Sequence, residues 1–492
     1  MAIQCKNRDN RFHPSAGSRR ARALLLAAAA ILLSGCSMAT QNLKTPLVVP
    51  ARFSESGTSP LPDKWWESFE DPVLSGLIDK ALANNFDLHT AWDRLNQAEA
   101  AARRAGADLF PALDAGADTS GNRFRESGQT GDSSSYALGL TASYELDLWG
   151  RIRSGRDAAV FDVHASEQDL QAAALTLSAT VAGTWYQLVE QYGQLNVLEA
   201  QIVTNGTVLE LVTLQFRTGQ VGIADMLQQR QLVESNQGEK SQALARAKVL
   251  EHQLAILLGV PPRQTVAPRV AALTKLPAMP QSGLPAELIQ RRPDVRSALY
   301  SVQSADSDLA AAIADRFPRL SLTAGVDTSG GHTRDLFDNW LAALAANLLA
   351  PVIDGGLREA EVDRTRAVAS EALHTYGQTI LDALGEVEDA LVQEQRQRDF
   401  IASINRQLGL AGQVVDSLRD RYIQGTVDYQ RVLDALLSHQ DLQRSLLTAE
   451  RDLVQYRIDL CRALGTGWPL DRPEERNADA STTTGKGNSD AV

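Results

Sequence analysis

Apolar and polar positions follow two different periods along this chain. Tyr136, Leu138, Leu140, Ala142, Tyr144 and Leu146 alternate with Ala137, Gly139, Thr141, Ser143, Glu145 and Asp147. Leu320, Leu322, Ala324 and Val326 alternate in the same way with Ser321, Thr323, Gly325 and Asp327. A period of two predicts strands with one apolar and one polar face. The stretches after Phe110 and from Trp340 to Ile353 alternate less cleanly and are expected to be their partner strands. Two polar stretches, Gly121 to Ser135 and Gly330 to Asn339, are expected to be long loops. Elsewhere the period is helical. Leu170, Ala173, Ala174, Leu177, Thr180, Val181 and Thr184 have the 3/4 spacing of a packed seam. Helical segments are predicted at 73–106, 152–216 and 223–258, then at 285–315, 357–420 and 429–464.

The second three segments echo the first. Arg217-Thr218-Gly219-Gln220-Val221 through Leu227 lines up with Ile423-Gln424-Gly425-Thr426-Val427 through Leu433 at an offset of 206. Leu258-Gly259 meets Leu464-Gly465, and Gly150 meets Gly356, at the same offset. Phe110-Pro111 meets Phe317-Pro318, and Asp87 meets Asp294, at 207. Several matches at a nearly constant offset point to an internal duplication. The two repeats are read as 65–262 and 272–470, joined by the Pro-rich stretch Pro261 to Pro285. The 492 residues are then two copies of one unit rather than several unlike domains.

Length adds two constraints. The strands run about ten residues, enough for a tilted transmembrane strand. Four such strands cannot close a barrel, which needs about eight, and lipid does not tolerate an open edge. Copies of the chain must therefore pool their strands, and three copies supply twelve. The helix from Ile152 to Arg217 is about 100 Å long at about 1.5 Å per residue. It holds no uninterrupted apolar run of about 20 residues and is not read as a membrane span. Two long helical hairpins, each attached to a strand hairpin, suit a tube. A small water-soluble sandwich and a free-standing coiled-coil stalk are the alternatives.

The N-terminus decides between membrane and water. Arg19, Arg20 and Arg22 precede an apolar run from Ala23 to Leu33, and Leu33-Ser34-Gly35-Cys36 follows. This is the layout of a secretory signal, and Leu-Ser-Gly-Cys resembles the bacterial lipobox, in which the cysteine is acylated. Residues 1–35 are read as a signal peptide, 36–64 as an acylated N-terminal segment, and the polar stretch 471–492 as a disordered tail. Cleavage removes six basic residues and one acidic residue, which takes the formal charge from −12 to −17. Such a balance disfavours nucleic acid as a partner. Of the three cysteines, Cys5 is removed, Cys36 is lipidated and Cys461 remains, so the mature chain holds no internal disulfide pair. Stable anchoring takes two or more acyl chains.

A family resemblance rests on an ordered set of motifs covering about 45–470. Pro62-Asp63-Lys64-Trp65-Trp66-Glu67-Ser68-Phe69 opens the first repeat, and Arg291-Arg292-Pro293-Asp294-Val295 opens the second. Asp147-Leu148-Trp149-Gly150-Arg151 and Ile353-Asp354-Gly355-Gly356-Leu357-Arg358 join strand to helix. Arg421-Tyr422-Ile423-Gln424-Gly425, then Val432-Leu433-Asp434-Ala435, precedes the ending Ala463-Leu464-Gly465-Thr466-Gly467-Trp468. Together these resemble the TolC-like outer-membrane efflux factors, in their NodT-type lipoprotein branch. The resemblance implies a mainly α protein with a transmembrane β part. Its fold would be a homotrimeric twelve-stranded β-barrel in the outer membrane, continuous with a twelve-helix periplasmic α-barrel. It implies a passive export channel working with a periplasmic adaptor protein and an inner-membrane pump of the resistance-nodulation-division type. A duct for protein secretion and a non-conducting helical scaffold are the competing readings.

No catalytic constellation is evident: the chain lacks a His-Glu-x-x-His motif, a phosphate-binding loop and a metal-spaced cysteine pair. It is therefore read as a non-enzyme without cofactor or metal. The candidate site is the pair of Gly turns, where the resemblance implies a periplasmic gate and contact with the adaptor. Gly219 and Gly425 suit helix ends that need positive φ. Asp225 and Asp428 open the following helices, either as caps or, repeated by threefold symmetry, as carboxylate rings in a pore. Arg421 and Tyr422 lie one turn before Gly425, and Tyr422 matches the family's gate-region tyrosine. Trp65 and Trp66 are expected to pack against the waist of the helical barrel, with a membrane-interface role as the alternative; Arg291 and Arg292 are expected to close a turn, and Asp382, Glu386, Glu388 and Asp389 to be solvated or to line a tunnel.

Overall fold

A computed structural model describes residues 47–465 and 467–472. The signal-peptide span, Cys36 and residues 473–492 of the expected tail lie outside the described residues. The chain divides into two compact units: Ala105–Ala158 with Ala305–Ala369, and Thr45–Arg104 with Ala159–Ser304 and Ser370–Val492.

The first unit holds one antiparallel sheet in the order β1-β2-β3-β4, with β1 Ala112–Glu126, β2 Gln129–Leu146, β3 Arg319–Gly330 and β4 Trp340–Leu349. The register gathers the alternating apolar positions onto one face. Leu113 opposes Ala142, Ala142 opposes Ala324, and Ala324 opposes Leu344. The row through Ala115, Leu140, Val326 and Ala342 lies beside it. The other face carries Asp114, Thr141 and Gly325, then Gly116, Gly139 and Asp327. Asp327 lies across Gly139, where an added Cβ would run into the carboxylate. Both faces of β4 are exposed, Leu344 at 82%, and within the chain β1 and β4 each keep one unpaired edge.

The expected loop Gly121 to Ser135 is not a loop. β1 and β2 pair through it to Glu126 and Gln129, and a two-residue turn closes them. Ser127 (φ 51°) and Gly128 (φ 89°) give the doubly left-handed turn that matches strand twist. Polar composition hid these strand ends. Their pairing comes from the ladder and from cross-strand contacts such as Arg123 Nε to Asp132 Oδ1 at 2.7 Å. The second expected loop does remain irregular, with a short 3-10 turn at Thr333–Asp335.

At the strand–helix junctions Trp149 stacks on Phe317 at 4.9 Å and donates to the Pro318 carbonyl at 2.7 Å. Asp147 accepts the Ile152 and Arg153 amides at 3.1 and 2.9 Å, and Asp354 accepts the Gly356 amide at 3.1 Å. These carboxylates serve free N–H groups at the starts of two long helices. Gly150 (φ 81°) and Gly356 (φ 85°) make the matching corners.

The helices are α1 Pro72–Asn84, α2 Phe86–Ala107, α3 Arg151–Arg217, α4 Ile223–Leu257, α5 Pro285–Arg291, α6 Pro293–Ala314, α7 Leu357–Ile423 and α8 Tyr429–Leu464. The order of two short helices, two strands and two long helices occurs twice. Each expected first helix is in fact broken, at Asn85 (φ −69°, ψ 126°) and at Arg292 (φ −63°, ψ 127°). Pro293 disfavours helical ψ at Arg292. At Asn85 the side chain does the work, accepting the Leu88 amide at 3.0 Å. Asn85 Nδ2 also donates to the Leu257 carbonyl at 3.0 Å, and Arg292 Nη1 to the Ala463 carbonyl at 3.3 Å. Each kink thus covers a free carbonyl at the end of a returning helix.

In the second unit Trp65, Trp66 and Phe69 are buried in the main core. Trp65 Nε1 donates to Ser178 Oγ at 3.0 Å, and Trp66 meets Trp468 edge-on at 4.9 Å. One oxygen of Asp71 caps α1 through Val73 N and Leu74 N, and the other accepts Trp185 Nε1 at 2.9 Å. The packing reading for the two tryptophans therefore holds. The most apolar stretch of α3 reaches a mean hydropathy of 1.2. However, the helix is about three times a bilayer core in length.

The Pro-rich stretch is packed rather than a free linker. Leu273 and Leu276 join the core, Ser59 bridges Pro280, and Arg457 Nη1 donates to the Ala278 carbonyl at 2.9 Å. Arg457 is fully buried with Glu394, its Nε donating to Oε2 at 2.8 Å. Glu386 departs from the solvated-face expectation. It pairs with Arg292 at 2.9 Å and with Arg462 at 3.3 Å.

Candidate functional site

Both long helices end in the same backbone device. At the end of α3 the Gln220 amide reaches back to the Gln215 carbonyl at 2.8 Å, and the Gly219 amide to the Phe216 carbonyl at 3.0 Å. At the end of α7 Thr426 reaches Arg421 at 2.9 Å and Gly425 reaches Tyr422 at 2.9 Å. This double bond with a left-handed residue is the Schellman motif, and φ is +74° at Gly219 and at Gly425 alike. The expectation of positive φ is met at both positions.

The two aspartates do different jobs. Asp428 is the N-cap of α8 and accepts the Arg431 amide at 3.2 Å. Asp225 stands three residues inside α4 and accepts the amide of the N-cap Gly222 at 3.2 Å. At the 206 offset Asp428 corresponds to Gly222, and Asp225 to Arg431. Each turn thus keeps one half of a capping box. Both aspartates thus sit in the first turn of the helix they open, Asp428 as its cap and Asp225 as the partner of the cap amide.

Tyr422 is the residue that joins the turns. Its hydroxyl donates to Gln215 Oε1 at 2.9 Å, and its ring lies 5.5 Å from that of Tyr429. Burial, and then the charge of Asp225, push its phenol above the ordinary range. Tyr429 is raised too, by burial first and then by Tyr422 and Asp225. Its hydroxyl donates to Gln229 Oε1 at 2.6 Å. Arg421 is exposed, and only its carbonyl takes part in the turn. Around these groups Val212, Leu232, Tyr429 and Leu433 form a small core.

Sequence reasoning missed Gln215, Tyr429, Gln229, Asn205 and Gln440. Asn205, Gln229 and Gln440 are at most 3% exposed and lie on the inward stripes of their helices. Polar residues on core-facing positions were the available signal. They were hard to weigh, since a polar group on such a stripe is as readily taken for a helix-surface residue.

Comparison with known proteins places the chain. The model of the family described as "Outer membrane efflux protein" matches it twice, at 77–260 and 284–466. It is 32% identical over 470 residues to the pyoverdine export outer membrane protein OpmQ of Pseudomonas aeruginosa, covering 91% of this chain and 98% of that one. It is 29% identical over 454 residues to the cation efflux system protein CusC of Escherichia coli, covering 89% and 97%. The solved structure of the outer-membrane channel OprN superposes with a TM-score of 0.80 at 28% identity, over 86% of this chain and 98% of that one.

Proposed function

This chain belongs to the outer membrane efflux protein family, and on that premise we propose that it is the outer-membrane duct of a tripartite efflux system. Three copies close a twelve-stranded barrel in the outer membrane, and their long helices build a twelve-helix wall in the periplasm. The carrying observation is the sheet: among the described residues, one apolar face has no cover and two edges have no partner. Lipid satisfies the face, and closure with further copies satisfies the edges. Acylation at Cys36 adds an anchor, and the recurring element order reflects duplication of one unit.

Conduction is passive, with no catalytic step. A periplasmic adaptor and an inner-membrane pump of the resistance-nodulation-division type deliver the cargo. Pyoverdine is named for one relative and cations for another, so cargo is set by the pump, and small toxic molecules are the class expected. The tip formed by Gly219, Asp225, Arg421, Tyr422, Gly425 and Asp428 is the gate and the adaptor-facing end. The bond from Tyr422 to Gln215 supports this, because it ties one hairpin to the other at their turns.

Planar-bilayer recording tests the channel and the gate together. Purified protein should conduct as a heat-modifiable trimer. Tyr422→Phe combined with Asp428→Asn should raise conductance, the Asn retaining the N-cap while removing its charge. A folded trimer with unchanged conductance would remove the gate assignment. In cells, deletion should raise accumulation of a fluorescent dye while the pump is expressed, and equal accumulation would count against efflux.

A further inference from the structure

From the Gly turns to about 20 Å behind them, four side chains at most 4% exposed form a continuous polar chain across the two hairpins. Tyr429 donates to Gln229 Oε1, and Gln229 Nε2 donates to the Asn205 carbonyl at 2.7 Å. Asn205 and Gln440 then exchange amide bonds: Asn205 Nδ2 to Gln440 Oε1 at 3.2 Å, and Gln440 Nε2 to Asn205 Oδ1 at 3.1 Å. Gln201 Nε2 adds a bond to the Gln440 carbonyl at 3.3 Å. Two amides facing each other with both bonds made fix one register, since a slip by one turn leaves buried donors unpaired. The repeat-equivalent positions cannot do this: 206 residues away stand Ala411 for Asn205, Ala435 for Gln229 and Glu234 for Gln440.

We propose that Asn205 and Gln440, with Gln229 and Tyr429, are positioning residues of the gate. They form an amide latch that holds α8 against α3 and α4 and so presents Tyr422 to Gln215. The inference rests on the reading of the tip as a constriction. It adds that the constriction is set from behind, by a latch on one hairpin junction only. Widening the tip by moving α7 and α8 away from α3 and α4 requires these bonds to break. Nearby charges are kept out of the latch by their own pairings. Arg444 donates to Gln201 Oε1 and pairs with Glu239 and Asp441, and Lys240 pairs with Glu199.

Asn205→Asp combined with Gln440→Glu keeps the shape but sets two carboxyls face to face, and such a pair cannot readily ionise together. In planar bilayers the variant should have an open-to-closed ratio about tenfold higher at pH 7.5 than at pH 5, where a shared proton restores the pair. Wild type at the same two pH values controls for other titratable groups, including His439 and Asp225. A purely structural role would not predict recovery at low pH. Gln440→Met is the second variant, retaining volume while losing both amide bonds, and it should raise the ratio at either pH. Heat-modifiable mobility verifies assembly in each case. Equal ratios at the two pH values in an assembled double variant, or wild-type behaviour of Gln440→Met, overturn the latch. If the double variant does not assemble, Gln440→Met decides. Tyr422→Phe recorded alongside separates the two ideas. A response there with silent latch variants sinks only the latch, whereas silence in Tyr422→Phe with responsive latch variants removes only the Tyr422–Gln215 bond from the gate.

Discussion

Glu394 and Arg457 are 1% and 0% exposed. Burial opposes ionisation of Glu394, but hydrogen bonds and charge from Arg457 and Arg398 outweigh it and hold the carboxyl below its usual range. A depressed carboxyl contributes stability that is present above the unfolded value, about 4.3, and is lost as pH falls through the folded one. Denaturation at graded pH should show this loss, and Glu394→Gln should flatten it. Arg457→Met should cost roughly 3–5 kcal/mol in the same assay, because it strands a buried carboxylate. Adding Glu394→Leu should recover most of that. The cysteine at 461 is 1% exposed, and burial pushes its thiol up to about 12. It should resist maleimide in the folded protein and react after denaturation. Its inertness follows from its neighbours and was not legible from the residue type.

Among the elements, the long helices were legible almost to the residue, and the short ones were not. The ends near Arg217 and Ile423 are marked by Gly219 and Gly425, whose left-handed φ favours glycine. Gly219→Ala and Gly425→Ala should each cost about 1–2 kcal/mol, read as earlier local exchange at the helix ends. The break at Asn85 was hidden, because Asn in a helical stretch signals a kink only when its side chain finds a partner. That partner, the Leu257 carbonyl, is 172 residues away. Asn85→Ala should cost about 1–2 kcal/mol in thermal melting. Arg292→Ala should cost more, since it also leaves Asp294 without its cation and Glu386 with Arg462 alone. The polar hairpin Gly121 to Ser135 was misjudged for a related reason: its strands are held by ladder bonds, which any sequence can make.

At the scale of the whole molecule the sheet is the deciding feature. Its register predicts that neighbouring positions on one strand respond oppositely. Leu344→Arg, on the apolar face, should lose about 2–4 kcal/mol of membrane stability. Ala343→Arg, on the polar face, should leave assembly intact, and trimer yield on heat-modifiable gels compares them. Equal losses would mean that the two faces do not meet lipid and lumen as proposed. Within the sequence itself lay the two periods, the recurrence at 206, the Gly-marked helix ends and the lipobox-like Cys36, because each is a local pattern or a repeat of one. Only the tertiary structure decided what joins distant positions. It brought the alternating residues of four strands onto one face, set Arg457 on Glu394, and paired Asn205 with Gln440. Those outcomes depend on which helix or strand comes to lie beside which, and no single stretch of chain contains that information.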